Sequence, residues 1–99
     1  MYKNLTISLV IPALNEEKGL SEILPLVPSL VDEVIVVDGG SKDKTVEVAK
    51  KYKAIVFRQK GNGYGSAYRE GFGVAKGSII VTADGDGTYP MTSIEEMVR

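Results

Sequence analysis

Apolar and polar positions along the chain fall into two alternating patterns. From Thr6 the stretch TISLVIPA is a near-continuous run of β-branched and aliphatic residues closed by proline; EVIVVD from Glu33 repeats the pattern, and AIVFR and SIIVTA are shorter versions of it. Runs of this kind, without the polar alternation of a half-exposed strand, predict strands buried on both faces of a parallel sheet. Between them the spacing changes. NEEKGLSEIL places Leu20, Ile23 and Leu24 at helical intervals behind acidic residues, with Asn15 as the expected cap and Pro25 and Pro28 as the stop. GGSKDKTVEVAKKY turns through glycines into a helix with Val46, Val48 and Ala49 available for packing. QKGNGYGSAYREGFGVAKG opens as a glycine-rich loop and is expected to continue as a helix through Ala67 to Lys76. This holds although Gly71 and Gly73 each cost about 1 kcal/mol relative to alanine inside a helix. TSIEEMVR begins another helix.

Strands alternating with helices imply β-α-β units, right-handed crossovers and a mostly parallel sheet. The expected fold is a Rossmann-like three-layer α/β/α arrangement with strand order 3-2-1-4. In such sheets ligands settle beyond the carboxyl ends of the strands, where the order reverses, which here falls between the first and fourth strands. The segments that follow strands one, two and four are PALNEE, DGGSKD and DGDGTYP, so three chemically loaded stretches converge on one rim.

Composition then removes options. The 99 residues contain neither cysteine nor histidine, which excludes disulfides, thiolate nucleophiles, a Ser-His-Asp triad and imidazole metal sites. Catalysis would have to rest on carboxylates, lysine, tyrosine, backbone amides or an oxygen-bound cation. With 43% hydrophobic and 25% charged residues and a formal net charge of -1, the chain reads as one ordinary globular domain. The apolar stretch before Pro12 is too short for a membrane span and lacks a signal-peptide cleavage pattern, so a cytoplasmic location is the default expectation. Lys42, Lys44, Lys50, Lys51, Lys53, Arg58 and Lys60 gather in the middle of the chain; without interleaved aromatics they read as a solvated face rather than a nucleic-acid surface.

Asp84 and Asp86 stand where a strand meets a loop, with Gly85 and Gly87 freeing the backbone to aim both carboxylates at one small volume. A hard divalent cation, Mg²⁺ or Mn²⁺, would hold them there together with substrate phosphates and water; a solvated Asp-Gly turn is the alternative. A calcium loop fails on context, because Tyr89 occupies the position that needs glycine and a strand precedes it. Asp38, followed by two glycines and Ser41, can accept hydrogen bonds from a nucleobase or ribose, or Asp38 or Ser41 can simply cap the turn. The Gly-x-Gly spacing after strand three lacks the strand context and the acidic partner of a dinucleotide fingerprint, and the Gly-Lys-Ser/Thr ending of a phosphate-binding P-loop is missing. There remains a glycine-rich loop leading into a helix, whose free amides, with Lys60 and Arg69, can face an anionic ligand.

Read in order, VIPALNEE, VIVVDGGSKDKT, KGNGYGSAYREGFGVAKG and IIVTADGDGTYP closely resemble the nucleotide-binding half of the inverting family-two glycosyltransferases of GT-A fold. The flavour is most similar to dolichol-phosphate or polyprenyl-phosphate sugar transferases. The resemblance implies that Pro12, Asn15 and Glu16 line the nucleotide pocket and that Asp38, with Ser41 beside it, contacts the base. It also implies that the loop from Lys60 through Gly61 and Gly63 to Ala67 borders the diphosphate. Asp84 and Asp86 would be the DxD motif, bridging through Mg²⁺ or Mn²⁺ to the diphosphate of a UDP- or GDP-sugar, with Asp84 also on the nucleotide. It implies further a polyprenyl-phosphate acceptor at a membrane surface, with the protein peripheral to the cytoplasmic face, and a chain that is the donor-binding part of a longer enzyme. The catalytic base is assigned to no residue here. Leu14 stands where many relatives carry an aromatic, Gly39 where a second aspartate is frequent, and Thr88 where a glutamine is frequent, which leaves the base and a third metal ligand open. A non-catalytic nucleotide-binding module working with a partner chain is the alternative function. An unpaired edge on strand four is expected to favour strand addition or a homo-oligomer.

Overall fold

A computed structural model describes residues 5–83. Four strands, β1 (Ile7–Ala13), β2 (Glu33–Asp38), β3 (Ile55–Arg58) and β4 (Ile79–Thr82), pair in parallel in the order β3-β2-β1-β4, as the sequence pattern predicts. They are joined by helices α1 (Glu17–Ile23), α2 (Thr45–Lys51) and α3 (Gly63–Val74), with a single 3₁₀ turn at Leu24–Leu26 where Pro25 ends the first helix. The segment TSIEEMVR lies outside the described residues.

Every residue of β1 is buried, which is why its sequence is apolar without alternation. Alternate side chains enter two separate cores. Ile7, Leu9, Ile11 and Ala13 pack with Leu20, Ile23, Leu24, Val36 and Ala49 on the face covered by α1 and α2. Val10 joins Ile35, Val37 and Ala67 on the face covered by α3. The result is helix, sheet, helix, with the short strand β3 more exposed at one edge and β4 at the other edge among the described residues.

The amino-terminal rim of the sheet is tied by carboxylates. Asp32 accepts the Ile7 amide (2.7 Å), and Glu33 accepts the Ser8 hydroxyl and the Lys76 amide (2.7 Å), while the Gly77 amide donates to Ser8 Oγ (2.8 Å). These bonds fasten the start of β2 to β1 and to the segment leading into β4. The Lys76 amide first, and then the Ser8 hydroxyl, hold the Glu33 carboxyl below its ordinary value of 4.5. The Ile7 amide does the same for Asp32, whose ordinary value is 3.8. Because both folded values lie below the unfolded ones, the unfolded chain takes up protons first as the pH drops. The stabilisation is therefore complete above the ordinary carboxylate range and is lost as the pH falls through the folded values. The thermal midpoint is expected to fall steadily below about pH 5, and Glu33→Gln should flatten part of that slope; a midpoint that is level down to pH 3 in the unsubstituted protein would contradict this.

Candidate functional site

At the carboxyl rim, β1 and β2 end in register, Pro12 beside Val37 and Ala13 beside Asp38, and the Gly39 amide donates to the Ala13 carbonyl at 2.9 Å. The loops beyond these strand ends are laced to each other. Asn15 adopts a left-handed backbone (φ 53°), a conformation asparagine tolerates better than most residues. From there its amide donates to Ser41 Oγ (2.9 Å), and its side-chain oxygen accepts the Lys42 amide (2.8 Å). Deeper in, the Glu16 amide donates to Thr45 Oγ1 (2.9 Å), and the Glu17 amide donates to Asp43 (3.2 Å). Asp43 also accepts the Thr45 amide at 2.9 Å and the Thr45 hydroxyl. The Thr45 hydroxyl is the main reason that the Asp43 carboxyl sits below its ordinary value.

Asn15 is thus not the cap of α1. The residue preceding that helix is Glu16, whose own side chain makes no capping bond; Asp43 of the neighbouring loop takes the Glu17 amide instead. A residue with a short amide side chain suits a cap and a loop bridge equally, and here the neighbouring loop provides the better partners.

Asp38 is 4% exposed, and its carboxylate accepts the amides of Gly40 (3.3 Å) and Ser41 (3.1 Å). Gly40 has φ 102°, which only glycine adopts without strain, so the chain can fold back over the carboxylate. Asp38 therefore shapes the second loop, and its main-chain carbonyl also accepts the Gln59 amide (2.8 Å), which brings the end of β3 to the same rim.

Between these loops and the start of α3 lies a cavity of about 210 Å³. Its lining comes from Pro12, Ala13 and Leu14 at the end of β1, Gly39 and Gln59 just after β2 and β3, and Gly61, Asn62, Gly63 and Ala67 at the start of α3. Among the described residues no ionisable side chain lines it. Its volume lies below the roughly 300 Å³ at which complete small-molecule sites begin, so it suits one uncharged ring of a larger ligand whose remainder extends outward.

Of the residues singled out from the sequence, Pro12, Gly61 and Gly63 line this cavity. Asn15, Glu16 and Ser41 stand at the adjoining loop junction, where their hydrogen bonds hold one loop to the other. Asp38 lies buried beneath the second loop. The Lys60 and Gly61 amides do not face a ligand: both donate to Glu70, at 2.7 and 2.9 Å. Asp84 and Asp86 lie outside the described residues. Among the described residues no group of three or more His, Cys, Asp or Glu is placed to hold a metal ion. Gln59 escapes a reading of the sequence that attends only to the loops after strands one, two and four; applying the same rule to the third strand would find it.

A parallel sheet of this order, with an uncharged crevice at its carboxyl rim, defines an α/β ligand-binding fold. The chain belongs to glycosyl transferase family 2, whose sequence profile matches residues 8–99. It is 34% identical over 99 residues to a low-salt glycan biosynthesis hexosyltransferase of Haloferax volcanii, covering 95% of this chain and 24% of that protein. It is 36% identical over 112 residues to the human dolichyl-phosphate beta-glucosyltransferase, covering 94% of this chain and 35% of the relative. The solved structure of glucosyl-3-phosphoglycerate synthase from Mycobacterium tuberculosis, in complex with Mn²⁺, UDP and glucosyl-3-phosphoglycerate, superposes with a TM-score of 0.77 at 35% identity. That match covers 89% of this chain and 37% of the synthase. The same synthase has also been solved with Mg²⁺ and UDP (TM-score 0.76). The chain therefore spans only about a quarter to just over a third of the length of these relatives.

Proposed function

We propose that the chain binds the nucleotide of a UDP- or GDP-sugar and that the whole protein transfers the sugar to an acceptor, a polyprenyl phosphate being the acceptor class suggested by the dolichyl-phosphate name of the human relative. The observation that carries this reading is the uncharged cavity at the carboxyl rim. A nucleobase is a flat, neutral ring with polar edges. Pro12 and Leu14 would offer it apolar contact, while Gln59 Oε1 and the Asn62 side chain would offer polar groups from the same lining.

The diphosphate then has to extend away from Glu70 and from the acidic loop junction at Glu16, Glu17 and Asp43. Ala83 donates its amide to the Val10 carbonyl (3.1 Å), so the last described residue sits beside β1, and Asp84 is next in the chain. Asp84 and Asp86 are the residues that would hold Mg²⁺ or Mn²⁺ on the diphosphate. When bound, such a cation stabilises the negative charge that grows on the departing phosphate as the anomeric bond breaks, which favours the transition state over the bound donor. The Mn²⁺ and Mg²⁺ complexes of the mycobacterial synthase with UDP support this reading. A peripheral position at the cytoplasmic membrane face is part of the same proposal, since a polyprenyl chain stays in the bilayer.

The whole protein, incubated with polyprenyl phosphate, Mn²⁺ and a UDP- or GDP-sugar labelled in the sugar, is expected to move label into the lipid fraction and to release the nucleoside diphosphate. Lipid that stays unlabelled while the label moves to a soluble acceptor would overturn the acceptor class. Failure to release nucleotide from either donor would overturn the donor reading.

A further inference from the structure

The glycine-rich loop between β3 and α3 would be expected to present its amides to an anionic ligand, yet a side chain of the protein has taken them. Glu70, one turn beyond Ser66 on α3, accepts the Lys60 amide through Oε1 (2.7 Å) and the Gly61 amide through Oε2 (2.9 Å). The Ser66 hydroxyl also donates to Oε2 (2.6 Å). On the same stretch of loop, Gln59 Nε2 donates to the Gly63 carbonyl at 3.0 Å. Residues 59 to 63 are therefore tied to α3, through Gly63 at its start and Glu70 in its middle, and Gln59, Gly61, Asn62 and Gly63 line the cavity together with Pro12 and Leu14.

We propose that Glu70 is a positioning residue for nucleotide binding: its carboxylate acts as an internal anion that fixes the glycine-rich loop as a preformed wall of the cavity. The proposal rests on the donor reading given above. Two amides and a hydroxyl aimed at one carboxylate make charge-assisted bonds, which are stronger and more directional than bonds between neutral groups. The bonds hold Glu70 ionised: the Ser66 hydroxyl first, then the Lys60 and Gly61 amides, keep its carboxyl below the ordinary value of 4.5. A five-residue segment rich in glycine would otherwise be among the most mobile of the chain, and ordering it would oppose binding. The same arrangement explains why this loop suits a neutral ring. With its amides engaged and a negative charge behind them, it repels a phosphate and leaves only uncharged surface facing the cavity.

The test is the affinity of the whole protein for UDP and GDP, by calorimetry with Mn²⁺ present. Glu70→Ala is expected to weaken binding of the nucleotide that the unsubstituted protein prefers by about tenfold. In the enzymatic assay it should raise KM for the donor with little change in kcat. Sodium formate or acetate, able to refill the vacated anion position, should restore much of the lost affinity in Glu70→Ala and leave the unsubstituted protein unaffected; a residue that only supports the helix would show no such rescue. Should Glu70→Ala not fold, Glu70→Gln carries the test. It keeps the size and one acceptor oxygen but sets an NH₂ group against an amide donor, so weaker binding in a variant that stays folded, with a modestly lower thermal midpoint, is expected. Unchanged affinity in the folded variant, or a loss that formate and acetate do not relieve in Glu70→Ala, overturns the proposal. Absence of nucleotide binding by the unsubstituted protein overturns the donor reading instead, and this inference with it.

Discussion

Gly71→Ala is expected to destabilise the protein by about 1 to 2 kcal/mol, even though alanine is the better helix former by about 1 kcal/mol. The reason is the distance between α3 and the sheet. A Cβ at position 71 would collide with Val10 Cγ1 and lie 3.1 Å from Val37 Cγ2, both of them buried in the core under this helix. Neither side chain has room to turn away, because both are fully buried, so either α3 must lift or the valines must leave their rotamers. Gly73 provides the control on the same helix. A Cβ there meets nothing within 4 Å, and Gly73 has no positive φ, so Gly73→Ala should stabilise by about 0.5 to 1 kcal/mol. Chemical denaturation of the two variants side by side is the measurement. Opposite signs are expected; two stabilising substitutions would mean that α3 does not approach β1 and β2 this closely.

Asp86→Ala is expected to lower sugar transfer by about 10²- to 10⁴-fold, the range in rate that corresponds to several kcal/mol of transition-state charge stabilisation. The expectation comes from the sequence DGDG immediately after β4 and from the family to which the chain belongs. If two carboxylates one residue apart share a divalent cation with the diphosphate, removing one leaves the cation with too few protein ligands to stay in place. Nucleotide affinity should then lose its dependence on Mn²⁺, while the thermal midpoint without metal stays the same or rises as repulsion between like charges is relieved. Transfer rates measured across a Mn²⁺ titration distinguish this from a general loss of fold. A variant with unchanged Mn²⁺ dependence would remove Asp86 from the metal site.

How much was legible in the sequence depends on which interactions have a period. The four strands and their order could be read because burial on both faces turns β1 and the middle of β2 into near-continuous apolar runs, and the crossovers leave few topologies. The start of α3 could not. The glycine-rich stretch does not mark where loop becomes helix; the helix begins at Gly63, where φ 80° opens the turn and the bonds to Glu70 and Gln59 hold the loop against α3. It also stops at Val74, short of Lys76, whose amide is given instead to Glu33. Gly71 looks like a defect in a helix and is a contact surface. Glu70 and Asn15 draw their roles from partners 9 to 10 and 26 to 27 residues away in the chain, and such pairs leave no spacing for a reader to find. The convergence of loops on one rim was visible; which of those residues line the cavity and which lace the loops together was not, because Asn, Ser and Asp serve both purposes with the same atoms.

The central claim is that the cavity between Pro12, Gly39 and the glycine-rich loop receives the nucleoside end of the donor. Amide resonances of the isotopically labelled whole protein, followed while UDP or GDP is added with Mg²⁺, test it without any substitution. One of the two nucleotides is predicted to shift Leu14, Gly39, Gly61 and Asn62 together, with saturation, and to leave the amino-terminal rim at Ser8 and Glu33 unmoved. Saturable shifts confined to other residues, or no shifts with either nucleotide, would contradict it.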